Sequence, residues 1–370
     1  MTRVGCGCGN EDSPGPALSR RAILAASMTA VAGGVALHAA ARSSADPGPA
    51  PLPENALVTL GVQAGPPPVP NRTGISTALK VGRDVYQIDC GLGSLNAFTN
   101  TGFTFEDLKS MFITHLHTDH LTDYGTFLMS GGYTAAKGRV PVTVYGPGPA
   151  GGLPPSRVGD PNPATIDAAD PTPGLAATTR ALQQAFAYTN NIFIRDMGTD
   201  DIAGLFDVVE IPVPPGSDFE NRSPATEPFP VMSDDNVTVT ATLVSHYDVY
   251  PAFAFRFDLK ESGVSVTFSG DTTKSDNLIR LANDTDILVH EAQFSLDDAY
   301  YGNRFPPGYL VRSHTSAAQV GEVAAAARAG HVILSHYEPT DLPDSQWQNA
   351  IGKSFSGRLT VARDGQVFAI

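Results

Sequence analysis

Thr114-His115-Leu116-His117-Thr118-Asp119-His120 places three histidines and an aspartate within six residues, just after the apolar run Met111–Ile113. In an extended chain, residues two apart share a face, so a strand ending at Thr114 lets His115 and His117 grip one metal ion. Asp119 and His120, at the entry to a helix expected over Leu121–Met129, can turn to a second ion. Imidazole and carboxylate at this density suit Zn²⁺, with Mn²⁺ or Fe as alternatives. The chain has only nine histidines, so chance does not account for such clustering.

Two metals need more ligands, and four candidates stand where an apolar strand gives way to a loop. His246 follows Val237–Val244, and Asp271 follows Thr267-Phe268-Ser269-Gly270. His336 follows Val332-Ile333-Leu334, and His314 precedes the Ala-rich stretch Ser316–Ala329. That stretch reads as a helix closed by Gly330. Further strands are expected over Val58–Val62, Ile75–Val81, Val85–Asp89, Val140–Tyr145, Asp207–Val213, Ala252–Leu259, Val264–Phe268 and Ile287–Val289. Short helices are expected over Phe105–Lys109, with Thr104 as N-cap, and over Leu175–Tyr188, Ser275–Ala282 and Ser345–Phe355. Leu359–Ile370 reads as a terminal hairpin turning at Asp364-Gly365. Strands with interspersed helices in both halves suggest two mixed sheets packed face to face with helices outside, an α+β sandwich.

Within this order lies a change of composition. Eight prolines fall between Pro147 and Pro173, a stretch that can hold neither a ladder nor a helix. A Pro/Gly-rich insertion over about 146–232 is expected to cover a small-substrate pocket, with Phe186, Tyr188, Phe193 and Phe219 as its aromatic candidates.

At the amino terminus Ser19-Arg20-Arg21-Ala22-Ile23-Leu24 opens a mildly apolar, Ala-rich run that ends in small residues near Ala41 or Ala45. This is the order of a signal peptide, and the paired arginines point to twin-arginine export. Residues 1–45 are read as that signal, 46–56 as a Pro-rich linker, and 57–370 as one catalytic domain. Removal of 1–45 takes Arg3, Arg20, Arg21, Arg42, Glu11 and Asp12, so the net charge moves from −14 to −16. It also takes Cys6 and Cys8, leaving Cys90 alone and precluding an internal disulfide. The exported protein would be periplasmic, wall-associated or secreted, with no stable membrane anchor.

The chain resembles the metallo-β-lactamase superfamily, and within it the ribonuclease Z-like group with its arylsulfatase and phosphodiesterase relatives. His-x-His-x-Asp-His carries the resemblance. Ile88-Asp89-Cys90-Gly91, Ser245-His246, Ser269-Gly270-Asp271-Thr272 and Ser335-His336 support it. His290-Glu291-Ala292-Gln293 is similar to that group's His-Glu-Ala-Thr segment, with Gln for Thr. His314-Thr315-Ser316 is similar to its His-Ser-Thr segment. The resemblance implies an αββα sandwich, with His115, His117 and His246 on one Zn²⁺, Asp119, His120 and His336 on another, and Asp271 bridging. It implies a hydroxide between the ions as nucleophile. Asp119 would orient it and His314 would stabilise the charged intermediate or protonate the leaving oxygen. Glu291 would orient His314. Asp89 is expected to brace the metal loops, His290 and Cys90 to pack inside, and His331 to lie at the surface.

The leading expectation is an exported hydrolase of a small anionic ester, a phosphodiester or aryl sulfate. A lactonase or other carboxyl-type hydrolase is the alternative, and a non-catalytic binding protein a third. Transfer-RNA processing is set aside on three grounds. Only 25 residues separate His246 from Asp271, too few for the projecting arm of that group's tRNA-cutting members. The acidic charge repels nucleic acid, and an exported protein would not meet the precursor. The partners expected are therefore a small anionic ester and the twin-arginine machinery, with no nucleic acid. The oligomeric state is left open, a dimer among the options.

Overall fold

The computed structural model describes residues 51–157, 159–160 and 162–370; the expected signal segment 1–45 lies outside the described residues. Fourteen strands are found among the described residues: β1 (Asn55–Gly61), β2 (Ser76–Val81), β3 (Asp84–Ile88), β4 (Leu108–Phe112), β5 (Val142–Pro147), β6 (Phe206–Ile211), β7 (Phe229–Ser233), β8 (Val237–Leu243), β9 (Phe253–Leu259), β10 (Ser265–Phe268), β11 (Ile287–Gln293), β12 (His331–Glu338), β13 (Arg358–Val361) and β14 (Gln366–Ala369). They form two seven-stranded sheets, ordered β14-β1-β2-β3-β4-β5-β6 and β7-β8-β9-β10-β11-β12-β13. Each sheet runs antiparallel over its first four strands and parallel over its last three pairings.

Period-two alternation decides which residues face the sandwich interior. Leu57, Leu79 and Tyr86 join one core, and the adjacent Val58, Ala78 and Val85 join the other. The first core lies between the sheets, where the Phe112 ring meets Phe255 and Phe257 edge-on at 5.5 and 4.9 Å. The second packs the outer face of the first sheet on the helices Ser94–Asn100 and Tyr124–Thr134. The helix Ala317–Ala327 buries Val320, Val323 and Ala324 on the second sheet. A capping box between Ser316 and Gln319 starts that helix.

Several local expectations are corrected. Residues 359–370 are not a hairpin: β13 pairs with β12 and β14 pairs with β1, in different sheets. The Asp364-Gly365 turn instead crosses the sandwich, because the Asp364 carboxylate accepts from Val62 N and Thr73 N, and Gly365 N donates to Thr59 O. Only Phe105–Asp107 is helical after Thr104, as a single 3₁₀ turn; Lys109 already belongs to β4. The helices Ser94–Asn100 and Ala187–Asp196 were not expected. His331 is buried rather than at the surface, its Nε2 2.9 Å from Thr360 Oγ1. The first strand starts at Asn55, inside the expected linker.

Candidate metal centre

Strand ends of both sheets converge on one spot. The loop after β4 carries His115 and His117, and the short helix Thr118–Leu121 that follows carries Asp119 and His120; the loops just after β8 and β10 deliver His246 and Asp271; β12 carries His336 near its end. The structure thus brings together all seven side chains expected as ligands. Donor atoms of His115, His117 and His246 lie within 4.8 Å of one another, as do those of Asp119, His120 and His336, and those of His115, His120 and Asp271. His246, Asp271 and His314 make a further such group.

Hydrogen bonds behind the rings fix which nitrogen faces inward. Asp89 Oδ2 is 2.8 Å from His120 Nδ1, and its carboxylate also accepts from Thr114 N at 2.8 Å and from Thr114 Oγ1 at 2.9 Å. The one hydroxyl proton of Thr114 is thereby used, so Thr114 Oγ1 accepts from His115 Nδ1 at 3.1 Å. His246 Nδ1 donates to Ser313 O at 2.7 Å. Each of these three rings then presents an unprotonated Nε2 to the centre. This is how protein environments orient metal-binding imidazoles.

The donor set fits a cation. His117 Nδ1 and His246 Nε2 face each other at 3.1 Å. His115 Nε2, His120 Nε2, Asp271 Oδ1 and His336 Nδ1 are buried without a hydrogen-bond partner. Buried polar atoms left unsatisfied are costly, and a divalent ion on these N and O donors removes that cost. Burial holds His115 well below the ordinary histidine range and His246 down to about 3, which favours the neutral, ligating form. Burial alone would raise Asp271, but His336 and His120 beside it outweigh that and keep it ionised.

Beside the metal donors, His314 Nδ1 stands 3.3 Å from Glu291 Oε2, and Glu291 Oε1 accepts from Thr315 N at 2.9 Å. Burial would lower His314, yet the Glu291 carboxylate prevails and raises it. His290 is buried and donates from Nδ1 to Glu291 O at 2.6 Å, as its packing role implies. Cys90 is a buried free thiol.

An open cavity of about 200 Å³ lies over the centre, lined by His117, Asp119, His246, Asp271, His314 and His336 together with Gly65, Pro66, Gln293, Phe305, Tyr309 and Glu338. Among the described residues, none of the Pro-rich insertion lines this cavity. Tyr188 is exposed, Phe193 packs on Tyr133 at 4.5 Å, and Phe219 sits over Gly152. The insertion instead touches the rim of the site through Arg157, which pairs with Asp248 and stands over the Tyr247 ring. Sequence reasoning missed Gln293, Phe305 and Tyr309; the one signal was the departure of Gln293 from its motif.

A family model for a beta-lactamase superfamily domain matches residues 168–337, and one for the anti-Pycsar protein Apyc1 matches residues 77–144. The fold resembles the metallo-beta-lactamase fold protein YhfI from Bacillus subtilis, with a TM-score of 0.57 at 18% identity over 85% of this chain and 99% of that one. The chain has the metallo-β-lactamase fold. Its fold is likewise similar to that of the short form of human tRNase Z, with a TM-score of 0.57 at 20% identity over 85% of this chain and 99% of that one. Among curated proteins it is 27% identical to a Ribonuclease Z of Mycobacterium avium over 83% of this chain and 95% of the relative. It is 26% identical to one of Mycobacterium bovis over the same shares.

These findings overturn the small-ester reading, the rejection of transfer-RNA processing and the expectation of no nucleic-acid partner. The match spans 95% of each relative's length despite the short gap between His246 and Asp271. The charge argument fails because net charge sums over the whole surface, whereas a substrate meets the rim of one site. There Arg157 and Arg312 stand over the Tyr247 ring and Arg304 over Phe305.

Proposed function

We propose that this metal-dependent hydrolase cleaves a phosphodiester bond in RNA, with transfer-RNA precursors as its substrate. The observation that carries the reading is the match to proteins named Ribonuclease Z along 95% of their length. The metal donors and the Glu291–His314 pair agree with it.

His115, His117 and His246 would hold one ion, Asp119, His120 and His336 a second, and Asp271 both. Zinc is the metal that this set of imidazoles and carboxylates favours. Two such ions supply Lewis-acid polarisation of the phosphoryl oxygens and make water a usable nucleophile at neutral pH.

The chain's own groups do the rest. Asp119 lines the cavity and accepts a proton from the attacking water. His314 reaches the same cavity with Nε2 while its Nδ1 faces Glu291. The Glu291 carboxylate raises the proton affinity of His314, which suits it to neutralise charge on the phosphorane and to protonate the departing ribose oxygen. Glu291, buried against Thr315 N, keeps the ring in that orientation.

The test uses the zinc-loaded chain and a transcribed transfer-RNA precursor with a 3′ extension. The expected result is one cut that releases the extension, abolished in His117→Ala. An intact precursor under conditions where bis(p-nitrophenyl) phosphate is hydrolysed refutes the reading.

A further inference from the structure

Gln293 ends β11 directly beneath the cavity mouth. Its backbone is tied on both sides: N donates to Thr315 O at 2.9 Å, and the residue pairs with Glu338 of β12. The side chain is 97% buried, given its relative exposure of 3%, and Oε1 has no hydrogen-bond partner. A buried amide oxygen left unmatched costs about 1–3 kcal/mol, so a side chain aimed into a ligand cavity in that state is waiting for a polar group. None of the seven metal donors explains it, and Glu291 and His314 do not reach it by any hydrogen bond.

The same cavity is lined by Phe305 and Tyr309, four residues apart in sequence, with Tyr309 opening the short helix Tyr309–Ser313. Their rings are nearly parallel, 15° between planes at 5.5 Å, and both line the space above the metal donors. Behind them Arg304 lies over Phe305 at 4.7 Å and Arg312 over Tyr247 at 5.2 Å, while Tyr247 leans on Tyr309 at 5.1 Å. These cations and rings brace Phe305 and Tyr309 where they line the cavity. Aromatic rings and a single buried amide lining one cavity with the metal donors have the chemistry of a base-binding slot. Unpaired bases lie on aromatic side chains and have their edges read by amides.

We propose that Gln293, Phe305 and Tyr309 form a nucleobase subsite that holds the base of the nucleotide flanking the scissile phosphate. This deepens the RNA reading and rests on it for its physiological meaning, but the subsite is testable without any cleavage. The aromatic wall supplies general affinity for a base. The amide supplies preference among bases, because a base that leaves it unmatched forfeits a hydrogen bond in a dry site.

The experiment is calorimetric titration of the zinc-loaded full chain with each ribonucleoside 5′-monophosphate, with ribose 5-phosphate as the base-free probe. Nucleotides are expected to bind at least tenfold more tightly than ribose 5-phosphate, and the four bases to differ among themselves by more than threefold. Phe305→Ala should bring the nucleotide-to-ribose phosphate ratio below twofold. Gln293→Thr should keep a base advantage but level the four nucleotides. Circular dichroism melting of each variant verifies that it is folded. Equal binding of ribose 5-phosphate and nucleotides, or ratios unchanged in both variants, overturns the proposal. Base-dependent binding with no cleavage of precursor RNA would instead leave the subsite standing and refute the RNA reading.

Discussion

Asp89→Asn should damage the metal centre more than its distance from the ions suggests. The carboxylate serves three donors: Thr114 N, Thr114 Oγ1 and His120 Nδ1. An amide can keep its oxygen toward Thr114 N, but its NH₂ then replaces the Oδ2 that faces His120 Nδ1 at 2.8 Å. Two donors cannot share that distance, so His120 must move its proton to Nε2 and lose the lone pair that a metal needs. The Thr114 hydroxyl, freed from Asp89, can donate to His115 Nδ1 3.1 Å away and drive that ring to the same wrong tautomer.

Losing one charge-assisted hydrogen bond of about 1.5–3 kcal/mol corresponds to a roughly 10–150-fold weaker site at about 1.4 kcal/mol per decade. The usual effect of removing a carboxylate behind a metal-binding histidine is about 10–100-fold. Chelator-competition titration of zinc onto the folded variant should therefore show a dissociation constant raised about 10–100-fold. Thr114→Val, which releases His115 alone, should fall between that variant and wild type. An Asp89→Asn protein that is folded and binds zinc within twofold of wild type would refute the tautomer argument.

Four other outcomes are expected. His314→Gln should retain its zinc, measured by elemental analysis, while turnover falls about 10²–10⁴-fold. In Glu291→Gln the basic limb of the pH–rate profile should move to lower pH, since the carboxylate that raises His314 is gone. Burial pushes His290 down to about 4 from an unfolded value of 6.5, so its contribution to stability is complete above pH 6.5 and is lost as pH falls toward 4. Melting curves of His290→Gln should lose up to about 3 kcal/mol less over that window than wild type. In Gly91→Ala the new Cβ would lie 2.5 Å from Gly74 C and 2.7 Å from Asp119 O; separating two backbones should cost about 3 kcal/mol of stability, read by urea denaturation.

The donor cluster was legible because its chemistry is local: His115, His117, Asp119 and His120 fall within six residues, and His246, Asp271 and His336 stand at or just beyond strand ends. The sandwich was legible from short apolar strands in both halves, most plainly in the apolar–Thr alternation of β8. Other features depend on partners far away in sequence. The Asp364-Gly365 turn looks like a hairpin until Val62 and Thr73 claim the Asp364 carboxylate. Asp89, Tyr247 and His336 adopt left-handed backbone, a conformation that non-glycine side chains rarely hold and that only the surrounding loops impose. The aromatic wall was missed because Phe305 and Tyr309 sit in a short irregular stretch with no periodicity to mark them. The Pro-rich insertion, conspicuous in composition, drew the pocket aromatics to the wrong place. The substrate was misjudged because a chain-wide charge was allowed to speak for one rim.

The first sheet opens on β14, the last strand in the chain, whose partner β1 is the first. Thr59 Oγ1 donates to Arg363 O across 304 residues. A ribosome delivers β1 long before β14, so during synthesis that edge has no partner and the inter-sheet core cannot close. Contacts of such long range slow folding, and the exposed edge is a site for wrong pairing until the final strand arrives. The centre inherits that timing, because His336 emerges more than 200 residues after His120. The full donor set is thus complete only late in synthesis, and the newborn chain waits on two late strands, β14 for its edge and β12 for its chemistry.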